Sequence, residues 1–324
     1  MTSTSDIAAG IFNISDEDYF IIKDPDLRSR ESWLLDQNYL GIAIGTPRYL
    51  FTEQHDHLPL ILAARFSGER DWEVNLRHNC LLIGTNMIDG SVRLAHLLRS
   101  EKELTSQYGS EMDEKGPRPP DSELEGNAAQ LLMVDIRNLL NIPWSYGKWV
   151  FGVISYDWLS NLAPLKLEGD IETDEIPPIS FDPDTFANAS ANLSQENELE
   201  MPEHGVTFLV RCGNNKGNTH LIADVALSIS ARRYNLPSAQ SLPDINAVIP
   251  VTLLLLQPDK EPLRFSWVVP AYGQPLNKGE TATGRFSIDV QAATSSPVPA
   301  PGNYVCYITI GGHIFGPQHL TINK

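Results

Sequence analysis

Cysteine is scarce in this chain of 324 residues, which has only Cys80, Cys212 and Cys306. An odd and low count gives no disulfide framework, so packing must hold the fold. Two readings stay open for the later pair: a Cys212–Cys306 bridge in an oxidising compartment, or buried thiols. Positive charge is also short. Lys and Arg number 24 against 41 Asp and Glu, a formal net charge of -17. Such a surface repels phosphate backbones and anionic lipid, so neither nucleic acid nor membrane is an expected partner. Long apolar runs are missing as well. The longest, such as Val251 to Leu256, are far too short to span a bilayer. The first residues, Met-Thr-Ser-Thr-Ser-Asp, have no basic start and no apolar stretch. The expectation is a cytoplasmic protein, or one exported without a cleavable signal.

Catalytic signatures are missing too. The chain has no Gly-x-Ser-x-Gly, no phosphate-cradling Gly loop, no His-Glu-x-x-His and no dinucleotide fingerprint. None of His96, His204, His220, His313 and His319 stands beside a Ser or Cys in a nucleophile setting. These absences favour a noncatalytic role, although convergent sites often escape a linear scan.

What is present is turn chemistry and short apolar runs. The 23 Pro and 22 Gly disfavour long helices and favour short strands joined by turns. Strands are predicted at 40–44, 58–66, 81–83 and 92–98, with Asp89-Gly90 as a hairpin turn between the last two. The apolar pattern resumes over 129–139, and 149–156 with 162–167 form a closing hairpin. The stretch 101–126 reads as a long polar loop. Seven further strands follow at 206–212, 221–230, 248–256, 263–269, 285–290, 304–310 and 319–322, a density expected of an antiparallel sandwich.

Between the two sets the composition changes. Residues 168–203 contain eleven Asp and Glu, no Lys or Arg, and Pro177, Pro178, Pro183 and Pro202. Such a stretch buries too little apolar surface to offset its ordering entropy. The expected organisation is an N-terminal arm or short helix (1–37), a first domain (38–168), an acidic Pro-containing linker or long loop (169–204) and a second domain (205–324).

The two halves share a pattern. Val134-Asp135-Ile136 precedes Gly147-Lys148-Trp149-Val150, and Ile288-Asp289-Val290 precedes Gly302-Asn303-Tyr304-Val305. The two Asp are 154 positions apart and the two Gly 155, and Leu167 and Ile322 keep the 155. A Gly, an aromatic, alternating apolar residues, a turn and a last strand resemble the end of an immunoglobulin-like domain, with Trp149 and Tyr304 over the core. The fold expected is therefore mostly β, with two antiparallel immunoglobulin-like β-sandwich domains in tandem. Phe208 to Gly217 and Ala223 to Ile229 also resemble the opening strands of bacterial adhesion modules of the CARDB kind. That resemblance implies a binding or spacer role and supplies no catalytic residues.

Site candidates are few. His55 and His57 are spaced to share one face of a strand. With His78 and Cys80 at the same spacing, they could hold Zn or Cu. The other reading is a polar loop that enters the next strand. Asp170, Glu172, Asp174, Glu175, Asp182 and Asp184 are hard oxygen donors for Ca, although no Asp-x-Asp-x-Asp-Gly loop occurs. Trp144 and Trp158 lie next to turns and serve either the core or a partner platform. The function expected is protein binding or a structural role through sandwich edges and loops, with a partner that offers a basic surface. A metalloprotein at His55/His57 and an accessory or maturation subunit of an enzyme are the alternatives.

Overall fold

The computed structural model describes residues 40–70, 79–97, 120–169, 183–190, 198–215, 218–230, 245–258, 260–272 and 281–323. The expected N-terminal arm lies outside them, as do most of the 101–126 loop and much of the acidic stretch.

The chain divides into two compact units, one of the residues up to Thr85 and of Val92–Thr173, the other of Asn86–Ser91 and of the residues from Asp174 on. The first is built from β1 (Gly41–Gly45), β2 (Tyr49–Phe51), β3 (Pro59–Ser67), β4 (Cys80–Asn86), β5 (Val92–His96), β6 (Asn127–Asp135), β7 (Gly147–Ser155), β8 (Trp158–Leu159) and β9 (Ala163–Glu168). The one-turn helices α1 (Asp121–Leu124) and α2 (Ile136–Leu139) bracket β6. One sheet has the order β1-β3-β6, the other β2-β9-β7-β4-β5 with β8 on β7. Period-two alternation sorts the side chains. Leu60, Leu62, Ala64 and Phe66 of β3 point into the core, as do Ala163, Leu165 and Leu167 of β9. From the two sheets they meet Ile42, Ile44, Leu50, Leu82, Trp149, Phe151 and Val153 in one cluster. Each fully buried Leu or Phe contributes about 1.5–3 kcal/mol.

The second unit holds β10 (Gly205–Asn215), β11 (Asn218–Ser230), β12 (Ile245–Leu256), β13 (Leu263–Tyr272), β14 (Thr281–Asp289), β15 (Gly302–Ile310) and β16 (His313–Ile322). Its helices are α3 (Pro183–Ser190) and α4 (Val290–Thr294). The sheets are β10-β11-β14 and β13-β12-β15-β16. Leu221, Ala223, Val225, Leu227 and Ile229 of β11 face Leu253, Leu255, Trp267, Tyr304, Cys306 and Ile308 in the second core. Helix α3 belongs to this core as well: Ala189 is buried in it and Phe186 packs against it.

The strand order is the same in the two units. In each, the first, second and fifth main strands make one sheet, and the remaining four make the other. In unit 1 these are β1-β3-β6 and β5-β4-β7-β9, and in unit 2 β10-β11-β14 and β13-β12-β15-β16. In each, an Asp ends the fifth strand and caps a one-turn helix. Asp135 accepts from Arg137 N and Asp289 from Ala292 N, both at 3.0 Å. A free helix N-terminus has unsatisfied N–H groups, and a short acidic side chain is the favoured acceptor for them.

The turns follow their residues. Between β4 and β5, the Asn86 and Asp89 side chains accept from the N–H of Ile88 and Ser91, and Gly90 takes φ 72°. Gly311 and Gly312 (φ 55° and 81°) join β15 to β16. Two positive φ values in succession give a tight turn that matches the twist of its strands, and glycine adopts them without strain.

The sequence missed β2, β8 and the one-turn helices. It extended the apolar pattern through Leu139, where the Asp135 cap turns the chain into α2, and carried the 285–290 strand into Val290, where Asp289 does the same. These elements are too short to show a period.

Candidate functional site

His55 and His57 lie in the loop between β2 and β3, not on a strand. The chain leaves β2 by a turn in which Gln54 N donates to Phe51 O at 3.1 Å. Trp144 holds the loop. Its indole Nε1 donates to the carbonyls of Thr52 and His55, each at 2.9 Å. The Arg137 guanidinium lies 4.3 Å from the Trp144 ring centroid, within range of a cation–π contact. Arg137 Nη1 also donates to Asp56 O at 2.5 Å. Loop 52–57 is thus bound to α2 and to the segment before β7.

Cys80 opens β4 inside the first core and is buried. His78 lies outside the described residues. Among the described residues no group of three or more His, Cys, Asp or Glu is placed to hold a metal ion. Trp144 and Trp158 are half-buried and pack against the first core. The Trp158 ring meets Phe66 edge-on at 5.8 Å. Beside it, Arg70 pairs with Asp157 and lies 5.8 Å from the Tyr156 ring. Burial first, then the Asp157 charge, pushes the Tyr156 phenol above its ordinary value.

The second unit collects ionisable groups that sequence reading passed over. His220 Nδ1 lies 2.8 Å from Asp289 Oδ1, and Asp289 is 1% exposed. Arg211 Nε donates to Asp224 Oδ2 at 2.6 Å, and Ser287 Oγ donates to Asp224 Oδ1 at 2.5 Å. Asp224 is buried, and a buried carboxylate needs such partners. The Asp289 repeat was the sequence signal; nothing linear joined it to His220. Cys212 is exposed and Cys306 buried, and neither is in a disulfide. Burial pushes the Cys306 thiol up to about 12.

The exposed large apolar side chains are mostly on strands at sheet ends. Tyr49 (63% exposed) and Phe51 (51%) are on β2, Leu209 on β10 and Leu263 on β13.

No family model matches the chain, and no curated protein matches it. Among solved structures it is similar to the C-terminal domain of the Streptococcus agalactiae AgI/II polypeptide BspA. Identity is 7% over 87% of this chain and 100% of that one, with a TM-score of 0.20. A second structure, named BspA_C_WT, has 8% identity over 85% and 95%, with a TM-score of 0.17. At these scores the likeness carries no argument.

Proposed function

We propose that this chain is a noncatalytic protein-binding or structural module of two immunoglobulin-like β-sandwich domains in tandem, acting through sheet edges and loops. The observation that carries the reading is the exposed apolar side chains on the end strands β2, β10 and β13. Strand ends of sheets are natural contact surfaces, because their unpaired backbone groups accept a further strand. The repeated strand order supports the tandem assignment. So does Tyr304 at the start of β15, whose hydroxyl donates to Ala300 O at 2.7 Å. This bond back to a residue just upstream has the form of the tyrosine corner of immunoglobulin-type sandwiches.

The domains run over 38–168 and 205–324, with the acidic stretch 169–204 joining them and α3 of that stretch packed on the second core. The eleven acidic residues from Glu168 to Glu203 favour a protein partner with a basic surface and speed encounter with it at low salt.

The test is binding to candidate partner proteins across an ionic-strength series, beside a version with the 168–203 acids neutralised. Weakening in both arms is expected, and unchanged affinity in both removes the acidic stretch from the mechanism. Substrate turnover that is lost on replacing His55 and His57 would overturn the noncatalytic reading. Stoichiometric Zn or Cu in purified protein would favour a metal centre there, with His78 as a further ligand.

A further inference from the structure

The end strand β10 combines an open backbone with acidic neighbours. In its sheet it pairs with β11 alone, Val206 opposite Leu227, Phe208 opposite Val225 and Val210 opposite Ala223. The N–H and C=O of Val210 turn away from β11, because both are taken by the side-chain amide of Gln318 in β16, at 2.6 and 3.0 Å. Backbone direction alternates along an antiparallel strand, so Val206 and Phe208 turn their polar groups the same way as Val210. On that side of β10 the sheet has no further strand among the described residues. The Gln318 amide covers the edge at Val210 and leaves Val206 and Phe208 open. It also shows that this side of β10 accepts a peptide-like group.

The side chains at this edge match the backbone. Val206 and Phe208 are half-buried against the second core, while on the other face Thr207 is exposed and Leu209 is 40% exposed. The charge here has one sign. From Glu168 to Val210 the chain has no Lys or Arg, and β16 has none from His313 to Ile322. Arg211, the next cation, is held by the buried Asp224. Glu198, Glu200 and Glu203 are exposed. Glu203 lies at the end of the strand itself, three residues and at most about 10 Å before Val206. Its carbonyl accepts from Ser228 Oγ at 3.0 Å, and Ser228 is the register partner of Gly205.

We infer that β10 takes up an extended basic segment of a partner protein as an added strand, bonded to the backbone of Val206 and Phe208, with Lys or Arg side chains alongside Glu203. The inference rests on the protein-binding reading above and names the edge at which its basic partner docks. Strand addition supplies affinity through backbone bonds, and the alternate side chains supply selectivity. Apolar side chains of the segment lie against Phe208 on one face and Leu209 on the other. Where the segment continues past Gly205, its cations meet a carboxylate that has no cation near it in sequence, which fixes the register.

The experiment titrates the full chain with a labelled peptide of alternating Val and Lys. One control peptide alternates Pro and Lys, which keeps the charge but cannot pair as a strand. The other alternates Val and Glu. Fluorescence anisotropy gives affinity, and amide hydrogen exchange reports Val206 and Phe208. The Val/Lys peptide is expected to bind about tenfold more tightly than the Pro/Lys peptide and to slow exchange at both amides, while the Val/Glu peptide does not bind. Val206→Pro removes an N–H that β11 does not use, so β10 keeps its pairing while the Val/Lys peptide weakens about tenfold. Glu200→Gln together with Glu203→Gln weakens it with a smaller salt dependence. Both positions are exposed, so this variant keeps the test sound if the Val206→Pro protein melts lower. Equal binding of the Pro/Lys peptide, unchanged exchange at Val206 and Phe208, or unchanged affinity of the double Gln variant overturns the inference. If the Val/Lys peptide fails while a partner protein still binds through the acidic stretch, only the β10 assignment falls. If neither binds, the protein-binding reading falls with it.

Discussion

The side-chain amide of Gln318 closes a pair of hydrogen bonds with the backbone of Val210: Oε1 accepts from Val210 N at 2.6 Å, and Nε2 donates to Val210 O at 3.0 Å. Gln318 lies in β16 of one sheet and Val210 in β10 at the end of the other. The amide takes the place of a neighbouring strand's peptide unit. The first unit repeats the device. Asn161 Oδ1 accepts from Ile44 N and Asn161 Nδ2 donates to Ile44 O, both at 2.9 Å. Each clasp closes one stretch of an end strand, β1 or β10, against further pairing.

Gln318→Ala and Asn161→Ala each remove one accepted and one donated hydrogen bond at a clasped backbone residue. A loss of about 1–3 kcal/mol per site is expected, read as a lower urea midpoint with an unchanged slope. A melt unchanged by either substitution would show that water replaces the amide at no cost.

Tyr304 is buried in the second core, and its hydroxyl donates to Ala300 O. Tyr304→Phe keeps the ring and removes the bond, so a loss of about 1 kcal/mol is expected. Trp149, which opens the corresponding strand, makes no such bond among the described residues and fills the first core with Phe151, stacked at 6.3 Å. Trp149→Ala is expected to cost about 3–5 kcal/mol. Denaturant titration of the two variants checks the order.

Thiol reactivity should follow burial. Cys212 is exposed and is expected to react with a thiol reagent in the folded protein, while Cys306 reacts only after unfolding. Cys212→Ser should remove the fast phase. The folded Cys306 thiol is raised from 9.0 to about 12, so the folded state holds this proton more tightly than the unfolded one. Its contribution to stability is complete below the unfolded value and declines as pH rises from 9.0 toward 12. Comparing Cys306→Ala with the parent across that range checks the sign.

Ala189 of α3 is buried in the second core. Ala189→Glu places a carboxylate there and is expected to lower the melting of the full chain, whereas Ala187→Glu, on the exposed side of the same helix, should change it little. Equal melting of the two variants would show that α3 is not part of the folded unit.

Much of the fold was legible in particular residues. The alternation Ala163, Leu165, Leu167 and the runs at 58–66, 221–230 and 248–256 announce strands, because side chains on a strand alternate between core and solvent. The repeat around Asp135 and Asp289 marked equivalent corners, since a short side chain with an acceptor oxygen is favoured at that cap. Composition located the acidic stretch but not α3, whose packing depends on a core formed by distant strands. β2 is three residues long, too short for any periodic signal, and the sequence assigned no role to Tyr49 and Phe51.

Pairing was beyond the sequence for a physical reason. Hydrogen bonds between residues more than a hundred positions apart, such as Asn161 with Ile44 and Gln318 with Val210, follow from how the sheets stack. The pair His220 with Asp289 and the row that sets Lys148 against Lys166 follow from strand register within a sheet. The amino-acid order determined which segments become strands and where they turn, through local sterics and side-chain alternation. Only the tertiary structure decided which strands lie at sheet ends and which side chains remain outside, because register and neighbours are set by long-range packing that no local pattern records.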